Sequence, residues 1–425
     1  MILWTIYVVY AVSLVLTVSP LVHIVRRRTL SRYFTYFVVT ASFVVLNLLG
    51  SISPNVLGEE PSPDLHLAHF CIALALFLLY FAIDAVADRR PPEPLAIRLL
   101  DSARDTRLAL ACCTLLLLLA GFFGSVAFYS TISSPLLFQF DLFGSAEALI
   151  GRRVEITLSR PFHWYALSLF EIPLFLLVLL NVLRKIRGPG WEFWRLAFWL
   201  VAPISVVASM LILQKQSVLY LLASIFLVVT VFRNRFPVRA LTALALAGLI
   251  AVGLQYLVVT PAAYRMLIPG VMAHRIFEAA PWSSSVAFGL FPGELPLLEG
   301  ASFPNFFQLF EYEQASAAKM IYPYLYGDFA GQAPLPAMIE MYANFGWPGI
   351  GIGIILTMGW VFVVSVLSWS KNVWLFCLAI YLTIKTVFIW LVPFWFGTFE
   401  ATLFVLVLFL VAMFRTVRAL TRGGL

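Results

Sequence analysis

Apolar residues run through this chain in long unbroken blocks, not in the two-residue alternation of a strand or the one-sided stripe of a soluble helix. Blocks of helix length fall at about 2–25, 33–52, 66–87, 108–130, 163–183, 196–213, 217–232, 238–259, 347–369, 373–393 and 398–415. A helix that crosses a bilayer needs roughly 20 predominantly apolar residues, so the pattern predicts eleven spans, within a range of ten to twelve. Short polar turns separate most blocks. Two connections are longer: 131–162, and 260–346, which is close to 87 residues and carries ten prolines if Pro348 at its exit is counted. The expected fold is an all-α polytopic membrane protein, a single integral membrane domain over 1–425 with both long connections as loops on one side.

The charges give that arrangement a direction. The first block has neither a basic lead nor a small-residue cleavage site ahead of Arg26, Arg27 and Arg28, so it reads as a retained span with the N-terminus outside. Eleven spans then put 20 of the 28 basic residues on the inner side, with only Asp84, Asp88, Glu93, Asp101, Asp105 and Glu192 of the 21 acidic ones. Short inner loops rich in Arg and Lys are the signature of membrane insertion, so the net charge of +7 is read as topology and not as affinity for nucleic acid.

Composition narrows the classes further. The chain is 62% hydrophobic and 12% charged, with a mean hydropathy of +0.95, against about a quarter charged in a soluble domain. The longest inner loop is about 20 residues, which leaves no room for a cytoplasmic catalytic or ATP-hydrolysing domain. There is no glycine-rich phosphate loop, paired CxxC or HExxH. Cys71, Cys112, Cys113 and Cys377 lie in apolar blocks and are expected to be buried thiols without disulfides.

Eight basic residues stand against the inner-side trend: Arg152, Arg153, Arg160, Lys215, Arg265, Arg275, Lys319 and Lys385. Any one alone is a solvated loop charge or the partner of a carboxylate. As a set on one concave outer surface, they suit a phosphate. Loops as long as 260–346 are uncommon unless functional, and its many aromatic residues make it too apolar for disorder. It reads as a packed cap with short interfacial helices, one of them at about 308–321.

Ionisable groups inside spans are costly and point to function or to a buried pair. Glu171 and Lys385 each lie about eight residues from an outer end, roughly 12 Å deep at 1.5 Å per residue, and are expected to support the membrane region, with Glu400 just below the outer face. Gly346, Gly349, Gly351 and Gly353 predict a tight turn and close helix approach that hold Glu340 on a constrained backbone. The alternative for Glu340 is a solvated carboxylate at the interface. His274, beside Arg275, is a candidate proton acceptor near a phosphate, or else a surface histidine. His66 and His69 share a helix face with Asp64 nearby, but no third well-spaced ligand completes a metal site.

The Lys215-bearing turn, the stretch from Arg265 through His274-Arg275, and the run Glu340-Met-Tyr-Ala-Asn-Phe-Gly-Trp-Pro-Gly together resemble the Wzy family of O-antigen and exopolysaccharide repeat-unit polymerases. The likeness covers most of the chain in architecture and is concentrated at about 200–350. It implies a GT-C-like, metal-independent glycosyltransferase in a bacterial inner membrane, with its active site facing the periplasm and no cofactor. Its substrates would be undecaprenyl-diphosphate-linked oligosaccharides, the growing glycan passing from its carrier to a newly arrived repeat unit, and a chain-length regulator would be a partner. In that reading Arg152, Arg153, Lys215, Arg265 and Arg275 hold the diphosphate, and Glu340, then His274, is the base. An O-antigen ligase would share the architecture, the donor and a histidine in the large loop. A flippase or secondary transporter would instead show internal repeats and midplane cations, and no repeat relates the two halves.

Overall fold

The computed structural model describes residues 2–53, 56, 62–87, 95–130, 148, 151–152, 155, 171–188, 190–211, 216–234, 236, 238–260, 262–303, 315–327 and 332–391. Among these every regular element is a helix. In chain order the α-helices are α1 (Ile2–Arg27), α2 (Leu30–Phe43), α3 (Pro63–Ala87), α4 (Leu95–Asp105), α5 (Arg107–Tyr129), α6 (Ile172–Ile186), α7 (Trp191–Met210), α8 (Gln216–Arg233) and α9 (Val238–Val259). They continue with α10 (Ile268–Ala273), α11 (Ala279–Leu290), α12 (Ala317–Tyr326), α13 (Ala337–Phe345), α14 (Trp347–Leu367) and α15 (Val373–Thr386). Eight helical stretches among the described residues are long and apolar enough to cross a membrane. The chain is thus an all-α, multi-pass membrane protein.

Those eight match eight of the eleven apolar blocks. The block at 196–213 starts earlier, at Trp191, because Gly190 at φ 79° turns the chain directly into the aromatic first turn of α7. The block at 217–232 forms the shorter apolar helix Val218–Arg233. Of the block at 163–183 the described part is α6, only 15 residues, and 398–415 lies outside the described residues. The thiols depart from expectation: all four are free, but only Cys377 is buried, and Cys112 is exposed on α5. An apolar block does not guarantee a protein neighbour; Leu115, Leu116, Phe122 and Phe123 on α5 are likewise more than 40% exposed, as a lipid-facing surface would be.

The chain divides into two compact units. The first comprises 1–90, 269–365 and 385–398, the second 91–268, 366–384 and 399–425.

In the first unit α1 lies along α3, and α2 continues through a π turn (Val44–Leu48) and a 3₁₀ turn (Leu49–Ile52). Ser13 and Thr17 are satisfied locally, donating to carbonyls one turn back, Val9 and Ser13. Trp390, fully buried, donates from its indole to the Val39 carbonyl at 3.0 Å, while Asn47 donates to the Trp390 carbonyl at 3.3 Å. The Tyr33 hydroxyl donates to Asp84.

In the second unit α6 is the centre, buried along nearly its whole length and flanked by α7, α8, α5 and α4. Asn181 ties it to α8 by donating to the Ser224 carbonyl at 3.0 Å. Tyr129 of α5 donates to the Ala208 carbonyl of α7.

Candidate functional site

The segment 262–290 is helical throughout but changes pitch three times: a 3₁₀ run (Ala262–Leu267), α10, a π turn (His274–Glu278) and α11. π turns insert an extra residue into a helix and are frequent at functional sites. This one holds two of the sequence candidates, His274 and Arg275. Its position is fixed by Gly50: a Cβ there would sit 1.6 Å from the Phe277 carbonyl oxygen and 3.1 Å from the Glu278 Cα. Only glycine permits the 3₁₀ turn after α2 to press its backbone against the π turn.

Within the turn His274 Nδ1 and Glu278 Oε2 are 2.9 Å apart, an i,i+4 pair with about a quarter of each side chain exposed. With Glu278 ionised, Nδ1 is the donor, and in the neutral imidazole Nε2 then carries the lone pair, so the contact fixes tautomer and ring orientation together. The imidazole edge meets Trp282 at 5.4 Å between ring centroids. Trp282 in turn meets Tyr326 of α12 at 5.6 Å, and Tyr326 stacks obliquely on Tyr322 at 4.9 Å. Burial raises the Tyr326 phenol, and the Arg275 guanidinium acts on it in the opposite sense. An oriented imidazole, an exposed arginine and three aromatic rings therefore share one corner of the first unit.

Helix α12 begins later than the sequence suggests. Ser316, extended at φ −134° and ψ 113°, caps it by accepting from the Lys319 amide at 3.4 Å, so no helix runs unbroken from 308 to 321; residues 304–314 lie outside the described residues.

Glu340 has a separate environment. Gly346 at φ 66° reverses the chain between α13 and α14, and Gly349 and Gly353 let the two helices touch: a Cβ at Gly349 would lie 1.9 Å from the Met341 carbonyl oxygen, and one at Gly353 3.0 Å from the Met338 Cα. Gly351 meets nothing. Asn344 braces α13 from the other side. Its amide donates to Ser302 Oγ at 2.7 Å and to the Glu340 carbonyl at 2.8 Å, and its carbonyl accepts from the Gly300 and Ser302 amides at 3.0 and 3.4 Å. Tyr342 donates to the Phe291 carbonyl at 3.0 Å, docking α13 on the end of α11.

This packing leaves the Glu340 carboxyl with 0% exposure, and neither oxygen has a hydrogen-bond partner. Glu340 is a buried group and not the solvated interfacial carboxylate of the alternative reading. Burial pushes it up to about 8; the Ser302 hydroxyl pulls the other way without closing a hydrogen bond. No cation is among its perturbers, so at neutral pH the group is chiefly the neutral acid.

The remaining candidates are scattered over both units. Arg265 is exposed on the 3₁₀ run of the second unit, whereas Arg275 is exposed on the π turn of the first. Arg152 pairs with Glu155 at 2.6 Å, a solvated bridge three residues apart. Glu171, buried at the N-cap of α6, accepts from the Tyr381 hydroxyl at 2.5 Å within the second unit. Lys385 is buried in the last turn of α15 and belongs to the first unit. Arg153, Lys215 and Glu400 lie outside the described residues. His66 and His69 are buried on α3, His69 edge-on to Phe43 at 5.7 Å, and no cluster of three metal-ligating side chains occurs among the described residues.

No protein-family model, curated protein or solved structure matches the chain.

Sequence reasoning did not single out Glu278 or Gly50, and used Asn344 only as part of the run that begins at Glu340. Glu278 was visible as the i+4 neighbour of a helical histidine. Gly50 and Asn344 act across 227 and 42 positions of chain, to Phe277 and Ser302, and no local pattern marks such contacts.

Proposed function

We propose that the protein polymerises lipid-linked oligosaccharide repeat units at the outer face of a bacterial inner membrane, transferring the growing glycan from undecaprenyl diphosphate to a new repeat unit. The observation that carries this is the His274–Glu278 pair, held in a π turn beside Arg275 and the rings of Trp282, Tyr322 and Tyr326. The resemblance to the Wzy polymerases supplies the substrate class. The full topology of eleven spans, the N-terminus outside and the C-terminus inside, rests on the charge pattern.

In this reading His274 takes the role of base. As the acceptor sugar hydroxyl attacks the anomeric carbon, the new C–O bond forms, the bond from that carbon to the diphosphate oxygen breaks, and the hydroxyl proton passes to His274 Nε2. Glu278 orients the ring and stabilises the imidazolium. Arg275 meets the charge that grows on the leaving diphosphate, which a guanidinium can grip bidentately, and the aromatic rings receive sugar faces. Glu340, closed off from solvent and without a hydrogen-bond partner, serves the fold of α13 in this reading. No metal or cofactor takes part; the carrier lipids and a chain-length regulator are the partners.

The same pair favours one second reading, a ligase that passes the glycan to a lipid A core, because that reaction also needs a proton taken from a sugar hydroxyl. Deleting the gene and sizing carrier-linked and surface glycans separates the two. Collapse of the ladder to single repeat units, restored by wild type but not by His274→Ala, supports polymerase. Long chains retained on the carrier lipid identify a ligase, and repeat units held on the inner leaflet refute both in favour of a flippase.

A further inference from the structure

The end of α6 in the second unit gathers positive charge without a counter-charge. Arg184, Lys185 and Arg187 close the helix, and Arg233 ends α8; the charges of the three arginines all act on the Lys185 ammonium, and no carboxylate is among the groups that do. None of the four has an ion pair among the described residues. Arg184 and Lys185 are half-buried and Arg187 and Arg233 exposed, and repulsion among neighbouring cations is costly where burial limits screening unless an anion offsets it.

Arg184 is also built in place. Its Nε donates to Asn181 Oδ1 at 2.7 Å, and the Asn181 amide is itself tied to α8. Its guanidinium lies over the Phe198 ring at 3.9 Å and near Trp199 at 5.3 Å. The Nε bond and the ring contact fix the plane of the fork while leaving both terminal nitrogens without a hydrogen-bond partner among the described residues. A planar fork so presented matches two oxygens of a phosphate. The adjoining face of α7 is apolar and open, with Leu196, Trp199 and Leu200 each more than half exposed. A phosphate carrying acyl chains satisfies both features, as basic pockets between membrane helices do elsewhere.

We infer that Arg184, with Lys185, Arg187 and Arg233, forms a binding site for the phosphate of an anionic phospholipid whose chains lie along α7. The site is independent of the glycan-transfer reading and of its residues.

The test is native mass spectrometry and thermal melting of the full-length purified protein, with phosphatidylglycerol or phosphatidylcholine added and, separately, inorganic phosphate. Phosphatidylglycerol is expected to bind and to raise the melting temperature over phosphatidylcholine, and Arg184→Gln to weaken it about tenfold, the loss of one charged hydrogen-bonding group at about 1.4 kcal/mol. Because removing cations can disturb insertion, Arg184→Lys is the second variant: it keeps the charge but not the fork, and is expected to weaken binding several-fold. Three results overturn the inference: wild-type affinity in Arg184→Lys, equal protection by inorganic phosphate, or an equal loss when Arg26, Arg27 and Arg28 are changed to Gln instead.

Discussion

The carbonyl oxygen of Phe277 lies 1.6 Å from where a Cβ on Gly50 would stand. A glycine that ends the second span thereby sets the seat of the π turn carrying His274 and Glu278. Gly50→Ala forces the two backbones apart. Overpacking of this kind costs about 1–3 kcal/mol, so a lower melting temperature is expected together with loss of glycan polymerisation. The alanine at Gly270, where a Cβ meets nothing, is the control and should leave both unchanged. An active Gly50→Ala protein would show that the turn need not be held here.

The His274–Glu278 pair makes a graded prediction. Removing a positioned base typically costs about 10²–10⁴-fold in rate, whereas removing the group that only orients the imidazole leaves the base in place and costs less. In a reconstituted assay His274→Ala should therefore lose more than Glu278→Gln, and the double variant little more than His274→Ala alone. Additive losses would mean that the two side chains act separately.

Asn344 joins α13 to the turn at 300–302 through three hydrogen bonds, and a fourth runs back to the Glu340 carbonyl. Asn344→Ala removes the partner of the Gly300 and Ser302 amides and of the Ser302 hydroxyl, at a cost of about 2–4 kcal/mol. Thermal unfolding of the detergent-solubilised protein should show it, and Asn344→Asp should recover part of the loss, since its carboxylate still accepts from the Gly300 and Ser302 amides.

Much of the fold was legible because bilayer-length apolar blocks are a one-dimensional signal: eight of eleven became helices of crossing length, with ends within about five residues. The turn at Gly346 and the close approach at Gly349 and Gly353 were equally readable from local spacing. Burial was not. Whether Cys112 faces lipid or protein, and whether Glu340 meets water, depends on which helices become neighbours, and apolar blocks that all look alike do not specify their partners. The seat of the π turn was hidden for a related reason: it rests on a contact between Gly50 and Phe277, residues far apart in the chain.

Glu340 ties stability to pH in a direction that can be worked out. Its carboxyl is raised in the fold to about 8 from an ordinary 4.5. Between these values the folded chain holds a proton that the unfolded chain has released, so the contribution of this group is full below about pH 4.5 and falls as pH rises through 8. Above pH 8 the fold must either bury an unpaired carboxylate or open α13. Glu340→Gln replaces the neutral acid by a neutral isostere. It should match wild type in glycan transfer at pH 7, show a flatter melting temperature between pH 5 and 9, and exceed wild type in stability above pH 8. Glu340→Asp, still titratable, should keep the slope. Loss of transfer at pH 7 in a folded Glu340→Gln protein would restore this carboxylate as the base and displace His274 from that role.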